Sequence, residues 1–264
     1  MSRKTDARSP REIAEGVYYL PVRGVNVYFV RSGSSWVLID TAWPKNGRLI
    51  REAAASLFGE NARPAAIMLT HVHPDHQGSA AELARLWELP VYVHGDDLPL
   101  LAGEVADRSS LDPIGRFFLA LMRLLPRRTV ERLTASELTE VACALPEQDA
   151  GVPGLPDWEC VPTPGHSPGH SAFFRRSDRV LIAGDAVLTA PFWGLASRRQ
   201  RISRPPYVSG WNWRRTKDSF AALAKLEPRV LATGHGVPLT GAGVARDLHA
   251  FADRFSPVPR RAGA

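Results

Sequence analysis

The sequence predicts an α+β chain in which two β-sheets are each backed by helices, a four-layer αβ/βα sandwich carrying a helical insertion. Three observations lead there. The chain opens with closely spaced short strands, continues as strand, helix, strand layering, and after a long apolar helical interruption returns to the strand rhythm. In both halves, residues suited to metal chemistry stand directly after strand ends, which places one site at an edge between the sheets.

The opening strands are read from three apolar runs, residues 17–20, 25–30 and 36–39, separated by Arg23-Gly24 and by Ser32-Gly33-Ser34-Ser35. Turn residues between β-branched and aromatic runs are what an antiparallel meander needs. The third run ends in Asp40-Thr41-Ala42-Trp43-Pro44, a polar residue at the mouth of a strand. A helix is expected over 45–58, and Asp40 has the residue type to cap it; Trp43 is expected on the loop rim. A buried strand over 65–70, a helix over 78–89 and a strand over 91–94 follow, which reads as βαβ layering.

From residue 95 to about 141 the character changes. Leu98-Pro99-Leu100-Leu101, the apolar stretch 114–125 and the segment 129–133 are helical in pattern and interrupt the strands. This 95–141 insertion is read as a cap that shapes access to a cleft; a homodimer face and a membrane-surface helix flanked by Arg127-Arg128 are the other readings. Strands resume at 158–161, 171–174 and 179–183. A long loop then runs to Tyr207, followed by a helix over 211–226, a strand over 229–233 and a closing helix over 242–255.

The densest chemistry lies in Thr70-His71-Val72-His73-Pro74-Asp75-His76, where three imidazoles and a carboxylate fall within six residues. Neutral imidazole nitrogen and aspartate oxygen are the donors that borderline divalent cations prefer, so a metal site is the first reading of this loop. Asp75 and His76 are expected at a helix start, where the backbone dipole suits a carboxylate. His94 reads as a rim or structural residue and His249 as an ordinary helix residue.

The pattern His-x-His-x-Asp-His resembles the metallo-β-lactamase-fold hydrolase superfamily. Its later motifs find counterparts in order: Thr163-Pro164-Gly165-His166-Ser167-Pro168-Gly169-His170, then Ala183-Gly184-Asp185-Ala186, then Thr233-Gly234-His235-Gly236. The resemblance implies that His71, His73 and His166 hold one metal, that Asp75, His76 and His235 hold a second, and that Asp185 bridges them. It implies catalytic roles for Asp75 and Asp185 and a supporting role for Asp40, accepting a hydrogen bond from a ligand histidine. His170 is placed in the same supporting set.

The activity so implied is a dinuclear metal-dependent hydrolase, in which a metal-bridging hydroxide attacks a small ester, thioester or lactone. Two divalent metal ions are the expected cofactors, zinc first, with iron and manganese admitted by the same donors. The bridging aspartate is typical of the glyoxalase II, lactonase and phosphodiesterase branches, and true β-lactamases generally lack it. Quorum-signal lactonases carry a tyrosine shortly after that aspartate, whereas Val187-Leu188-Thr189 stands here, so that aid is absent unless Tyr207 or another residue supplies it. The alternatives carried forward are a metal-dependent phosphodiesterase or nuclease and an iron-dependent persulfide dioxygenase-like enzyme.

Composition sets the outer limits. With 264 residues and 44% hydrophobic content the chain can bury a full core, and one domain spanning 1–264 is the simplest reading. No run approaches the roughly twenty apolar residues of a membrane span. The polar, charged start Met1-Ser2-Arg3-Lys4 does not resemble a secretory signal, so a cytoplasmic location is expected. Cys143 and Cys160, in no Cys-x-x-Cys arrangement, are read as reduced thiols without a role. The net charge of +6 and the arginines of the 198–204 stretch would suit a small anionic substrate, or simply a solvated surface. No nucleic-acid-binding motif accompanies them, and no nucleic-acid partner is expected.

Overall fold

The computed structural model describes residues 9–103, 137–146, 151–189, 202–206 and 211–255. The first sheet starts as the expected meander. Strands β1 (Arg11–Ala14), β2 (Val17–Val22), β3 (Val25–Ser32) and β4 (Ser35–Ile39) pair antiparallel in chain order. The sheet then turns parallel through β5 (Ala66–Met68), β6 (Val91–Val93) and β7 (Ala142–Ala144). Parallel neighbours need crossovers: helix α1 (Gly47–Phe58) supplies that from β4 to β5, helices α2 (Pro74–Gln77) and α3 (Ala80–Trp87) that from β5 to β6, and the 95–141 insertion leads from β6 to β7.

The second sheet has the spatial order β12-β11-β10-β9-β8. Its members are β8 (Trp158–Pro162), β9 (Ser171–Arg175), β10 (Val180–Gly184), β11 (Val230–Thr233) and β12 (Leu239–Thr240). Only the β10–β11 pair is parallel, and it follows a crossover containing the helix Trp213–Lys225. A short helix α4 (Leu98–Leu101) lies earlier in the chain, so the crossover helix is α5 and the closing helix Val244–Asp253 is α6.

Side-chain alternation along the strands accounts for four layers. On β3 and β4, Val27, Phe29, Trp36 and Leu38 face a core shared with Ile50, Ala54, Leu83 and Trp87 of α1 and α3. Their neighbours Tyr28, Val30, Val37 and Ile39 face the opposite way, into a second core with Phe173, Val180, Ile182 and Ala232 of the other sheet. A third core joins Phe174, Leu181 and Leu231 to Phe220, Leu223, Leu248 and Phe251 of α5 and α6. A period of two places each strand's residues in alternate cores, and each large apolar side chain so buried contributes roughly 1.5–3 kcal/mol.

Several expectations need correction. Asp40 does not cap the first helix: α1 begins at Gly47 and Asn46 stands before it, while the Asp40 carboxylate turns inward. The helix expected over 78–89 runs from Ala80 to Trp87, and a separate short helix, α2, precedes it; Gly78 between the two passes so close to the Trp43-Pro44 backbone that any side chain there would collide with it. The helix expected from 211 begins at Trp213, where the Asn212 side-chain oxygen accepts the Arg215 N–H at 3.1 Å. Strands β1, β7 and β12 were not anticipated; each is short and only partly buried, so none shows an apolar run.

Of the 95–141 insertion, the described parts are a 3-10 turn at Gly95–Asp97, α4 and a 3-10 turn at Glu137–Glu140. The apolar stretches 114–125 and 129–133 lie outside the described residues, as do Tyr207 and residues 198–201 of the basic loop. Arg204 of that loop lies over the Trp213 ring and donates to the Pro205 carbonyl. Cys143 and Cys160 are both free. Among the described residues no helix is long and apolar enough to cross a membrane.

Candidate metal centre

The donors of the centre leave the C-terminal ends of four strands. His71, His73, Asp75 and His76 follow β5, His166 follows β8, Asp185 follows β10 and His235 follows β11. The two sheets are stitched together there: Ser171 N–H donates to the Thr70 carbonyl at 2.8 Å, and Asn26 N–H to the Gly234 carbonyl at 2.8 Å. Carboxyl ends of strands are where open α/β sheets gather ligands, because loops rather than helix bodies cover them.

Two glycines make the convergence possible. A side chain at Gly234 would occupy the space of the Asp185 carboxylate and of His76, and at Gly184, whose φ is +49°, it would meet Thr70 and His170. Three sets of donor atoms result, each within 4.8 Å of one another: His71, His73 and His166; His71, His76 and Asp185; Asp75, His76 and His235. Asp185 lies among them, with Oδ1 at 3.6 Å from His76 Nε2 and Oδ2 at 3.4 Å from His166 Nε2 and 3.2 Å from His235 Nε2.

Hydrogen bonds behind the donors decide which ring nitrogen faces inward. The Asp40 carboxylate accepts from Thr70 N–H (2.8 Å), from the Thr70 hydroxyl (2.9 Å) and from His76 Nδ1 (2.8 Å). His76 therefore carries hydrogen on Nδ1 and turns Nε2 toward the centre. The Thr70 hydroxyl spends its hydrogen on Asp40 and so accepts from His71 Nδ1 at 3.0 Å, leaving His71 Nε2 bare, 3.0 Å from His73 Nδ1. His235 Nδ1 donates to the Gly24 carbonyl at 2.8 Å. His170 takes the same tautomer, but its Nε2 is committed: it accepts the Asp185 N–H at 3.0 Å, while its Nδ1 donates to Thr163 Oγ1 at 2.7 Å.

Electrostatics divide the centre in two. Burial pushes His71 and His166 well below the usual histidine range, neighbouring imidazoles add to the effect, and His73 is lowered as well. Burial also takes His170 down to about 3. On the other side, burial opposes the charge of His76 and His235, but the carboxylates together outweigh it, Asp185 with Asp40 at His76 and Asp185 with Asp75 at His235. His76 is thus held well above the ordinary value, and His235 is raised to about 10. The two carboxylates respond in kind: against burial, His76 and His235 hold Asp185 well below the carboxylate range, and His235 and His76 lower Asp75.

The donor set fits metal ions. Among the described residues, His76 Nε2, both ring nitrogens of His166 and Asp185 Oδ1 are buried without a hydrogen-bond partner. Each such orphan costs on the order of 1–3 kcal/mol. Four of them grouped in an otherwise well-bonded cluster of imidazoles and carboxylates are what divalent cations satisfy.

Every residue proposed from sequence as a metal donor is found in this cluster, and Asp40 and His170 lie directly behind it. Trp43 is 41% exposed, and its carbonyl accepts from Ser79 Oγ at 2.8 Å and from the Asn46 side-chain amide at 2.8 Å. Residues not anticipated are Thr70 and Thr163, which hold His71 and His170, and Gly24, whose carbonyl orients His235. A threonine immediately before the first histidine was a signal available in the sequence; a backbone carbonyl never is.

A mixed αβ/βα sandwich with a histidine and aspartate cluster at one edge between its sheets defines a class of metal-binding hydrolase folds. The family model described as the metallo-beta-lactamase superfamily matches residues 20–235, and the chain belongs to that superfamily. A probable metallo-hydrolase of Bacillus subtilis (strain 168), YflN, is 38% identical over 255 residues, 94% of each chain. The metallo-beta-lactamase family protein TTHA1429 from Thermus thermophilus superposes with a TM-score of 0.61 at 23% identity, covering 92% of this chain and 80% of its own. TTHA1623, solved in a di-iron-bound form, gives a TM-score of 0.56 at 27% identity, with 90% and 97% covered.

Proposed function

We propose that this metallo-hydrolase carries two divalent ions and cleaves a small carboxylic ester, thioester or lactone. The observation that carries the reading is the place of Asp185: one carboxylate oxygen faces His76 and the other faces both His166 and His235. A single carboxylate shared by two donor groups suits a pair of ions. In this reading His71, His73 and His166 hold one ion, Asp75, His76 and His235 the other, and Asp185 serves both. The di-iron form of TTHA1623 supports the count and admits iron as an occupant beside zinc and manganese.

Bound there, such ions supply an acidified water near neutral pH and polarise a substrate carbonyl. The chain's own groups do the rest. Asp75, one-fifth exposed and held ionised by His235 and His76, faces the cleft and takes or orients a proton at Oδ2. Asp40 and Thr70 keep the imidazoles of His76 and His71 in fixed tautomers. His170, neutral, pins the backbone of Asp185. Arg23, exposed in the hairpin turn whose next carbonyl binds His235, offers positive charge to an anionic substrate at the rim. Trp43 and Val237, 41% and 46% exposed, offer apolar surface to its acyl part.

The test is a substrate panel of p-nitrophenyl esters, acyl thioesters, lactones and bis-p-nitrophenyl phosphate, run on protein loaded with zinc, manganese or iron. Turnover of a carboxylic substrate at least tenfold above the phosphodiester supports the proposal. A preference for the phosphodiester, or oxygen uptake with a persulfide donor in its place, would replace it.

A further inference from the structure

Outside the donor set lies a carboxylate that the proposed chemistry does not use. Asp97 is fully buried, at the end of the 3-10 turn that follows β6, in the other sheet from the strand before His166. Its Oδ1 accepts the Gly169 N–H at 2.6 Å and its Oδ2 accepts the Ser167 hydroxyl at 2.7 Å. The backbone N–H of Val72 also favours the charge of this carboxylate. Those donors belong to two loops: Val72 stands between His71 and His73, and Ser167 and Gly169 stand between His166 and His170. The approach is tight enough that a side chain at Gly169 would run into the Asp97 backbone and carboxylate.

We infer that Asp97 is a positioning residue that clamps the His71–His73 loop to the His166 loop and so sets the spacing of the three-imidazole site. The two loops come from different sheets. The Ser171 N–H bond to the Thr70 carbonyl joins the sheets before the first loop and after the second, and leaves the separation of His71 and His73 from His166 to other contacts. Among the described residues His166 has no hydrogen-bond partner on either ring nitrogen, unlike His71, His76 and His235. Its place is therefore set by the backbone of its own loop: Trp211, Asn212 and Ser219 hold that loop at Pro164–His166, and the buried Asp97 grips it on both sides of Pro168. Charged hydrogen bonds of this kind are the stronger class, which suits a clamp. The inference rests on the proposed metal reading and goes beyond it.

The test uses the full chain, stripped and titrated with Co2+, with the ligand-field spectrum and chelator competition as readouts and the melting temperature of the ion-free protein as control. Asp97→Ala should weaken one of the two Co2+ sites by about 10–100-fold and alter its spectrum, as loss of a group behind a ligand does. Asp97→Asn keeps an oxygen for the Gly169 N–H and should recover part of the affinity. Ser167→Ala, which removes one of the donors, should fall between wild type and Asp97→Ala, and it decides the matter if Asp97→Ala does not fold. Folded Asp97→Ala or Ser167→Ala protein with wild-type Co2+ affinities and spectrum would overturn the inference, leaving Asp97 a stabilising residue only. Wild-type protein that takes up no Co2+ would overturn the metal reading itself, and this inference with it.

Discussion

Replacing Asp40 by asparagine tests how far the centre depends on the groups behind it. Asp40 is fully buried, with both oxygens committed as acceptors: Oδ1 to Thr70 N–H at 2.8 Å, Oδ2 to the Thr70 hydroxyl at 2.9 Å and to His76 Nδ1 at 2.8 Å. An asparagine is nearly isosteric but must turn its NH2 toward one of these donors. Facing Thr70, it leaves two N–H groups opposed, at a cost of about 1–3 kcal/mol for the unsatisfied pair. Facing His76, it forces the ring hydrogen onto Nε2 and removes the lone pair turned toward Asp185. Either way a charged hydrogen bond worth about 1.5–3 kcal/mol is lost. The expected result is a 10–100-fold weaker grip on the ion assigned to Asp75, His76 and His235, with the three-imidazole site less affected. Competition against a chromophoric chelator, read as two separate affinities, measures this. Asp40→Asn protein with both affinities at wild-type values would refute the argument that Asp40 sets the His76 tautomer.

Other consequences follow from the same geometry. Asp185→Asn removes a unit charge shared by three imidazole-bearing donors, and at about 4 Å and an effective dielectric of about 20 that charge is worth roughly 4 kcal/mol per unit cation. At least one ion should be held about 10³-fold less tightly and turnover should largely vanish, as metal analysis after gel filtration and steady-state kinetics would show. Stripping the wild-type protein with a chelator should abolish hydrolysis, and adding zinc, manganese or iron should restore it. In the ion-free protein, His235 has its folded value raised from 6.5 to about 10, so its stabilisation is fully present below about pH 6.5 and is lost as pH rises through about 10. Melting curves of ion-free wild type and His235→Gln should therefore converge toward pH 10 and separate near neutrality. Arg23→Glu should raise KM for a carboxylate-bearing ester by up to about tenfold with little change in kcat, the scale of an exposed charge contact.

Much of this arrangement was legible in the residues. The strands at 17–22, 25–32 and 35–39 were readable because each is buried on both faces between a helix layer and a second sheet, so apolar residues run continuously. The donors were readable because histidine and aspartate in a glycine-punctuated loop have few other uses. Asp40 was ambiguous for a physical reason: an aspartate after a strand and before a helix suits a cap as well as an inward acceptor, and only its left-handed backbone, φ +61°, and the proximity of Thr70 and His76 separate the two. Asp97 was invisible because Asp96-Asp97 reads as a solvated pair, and its partners Val72, Ser167 and Gly169 are up to 72 positions distant. Short edge strands such as Arg11–Ala14 carry little apolar signal, since an edge facing water does not need it.

The most direct test of the central claim is an anomalous-difference map from crystals of metal-loaded protein, collected at the absorption edge of the bound element. Two peaks per chain are expected, one among His71, His73 and His166, the other among Asp75, His76 and His235, with the Asp185 carboxylate between them. A single peak, or density away from these side chains, would contradict the account of a shared two-ion centre.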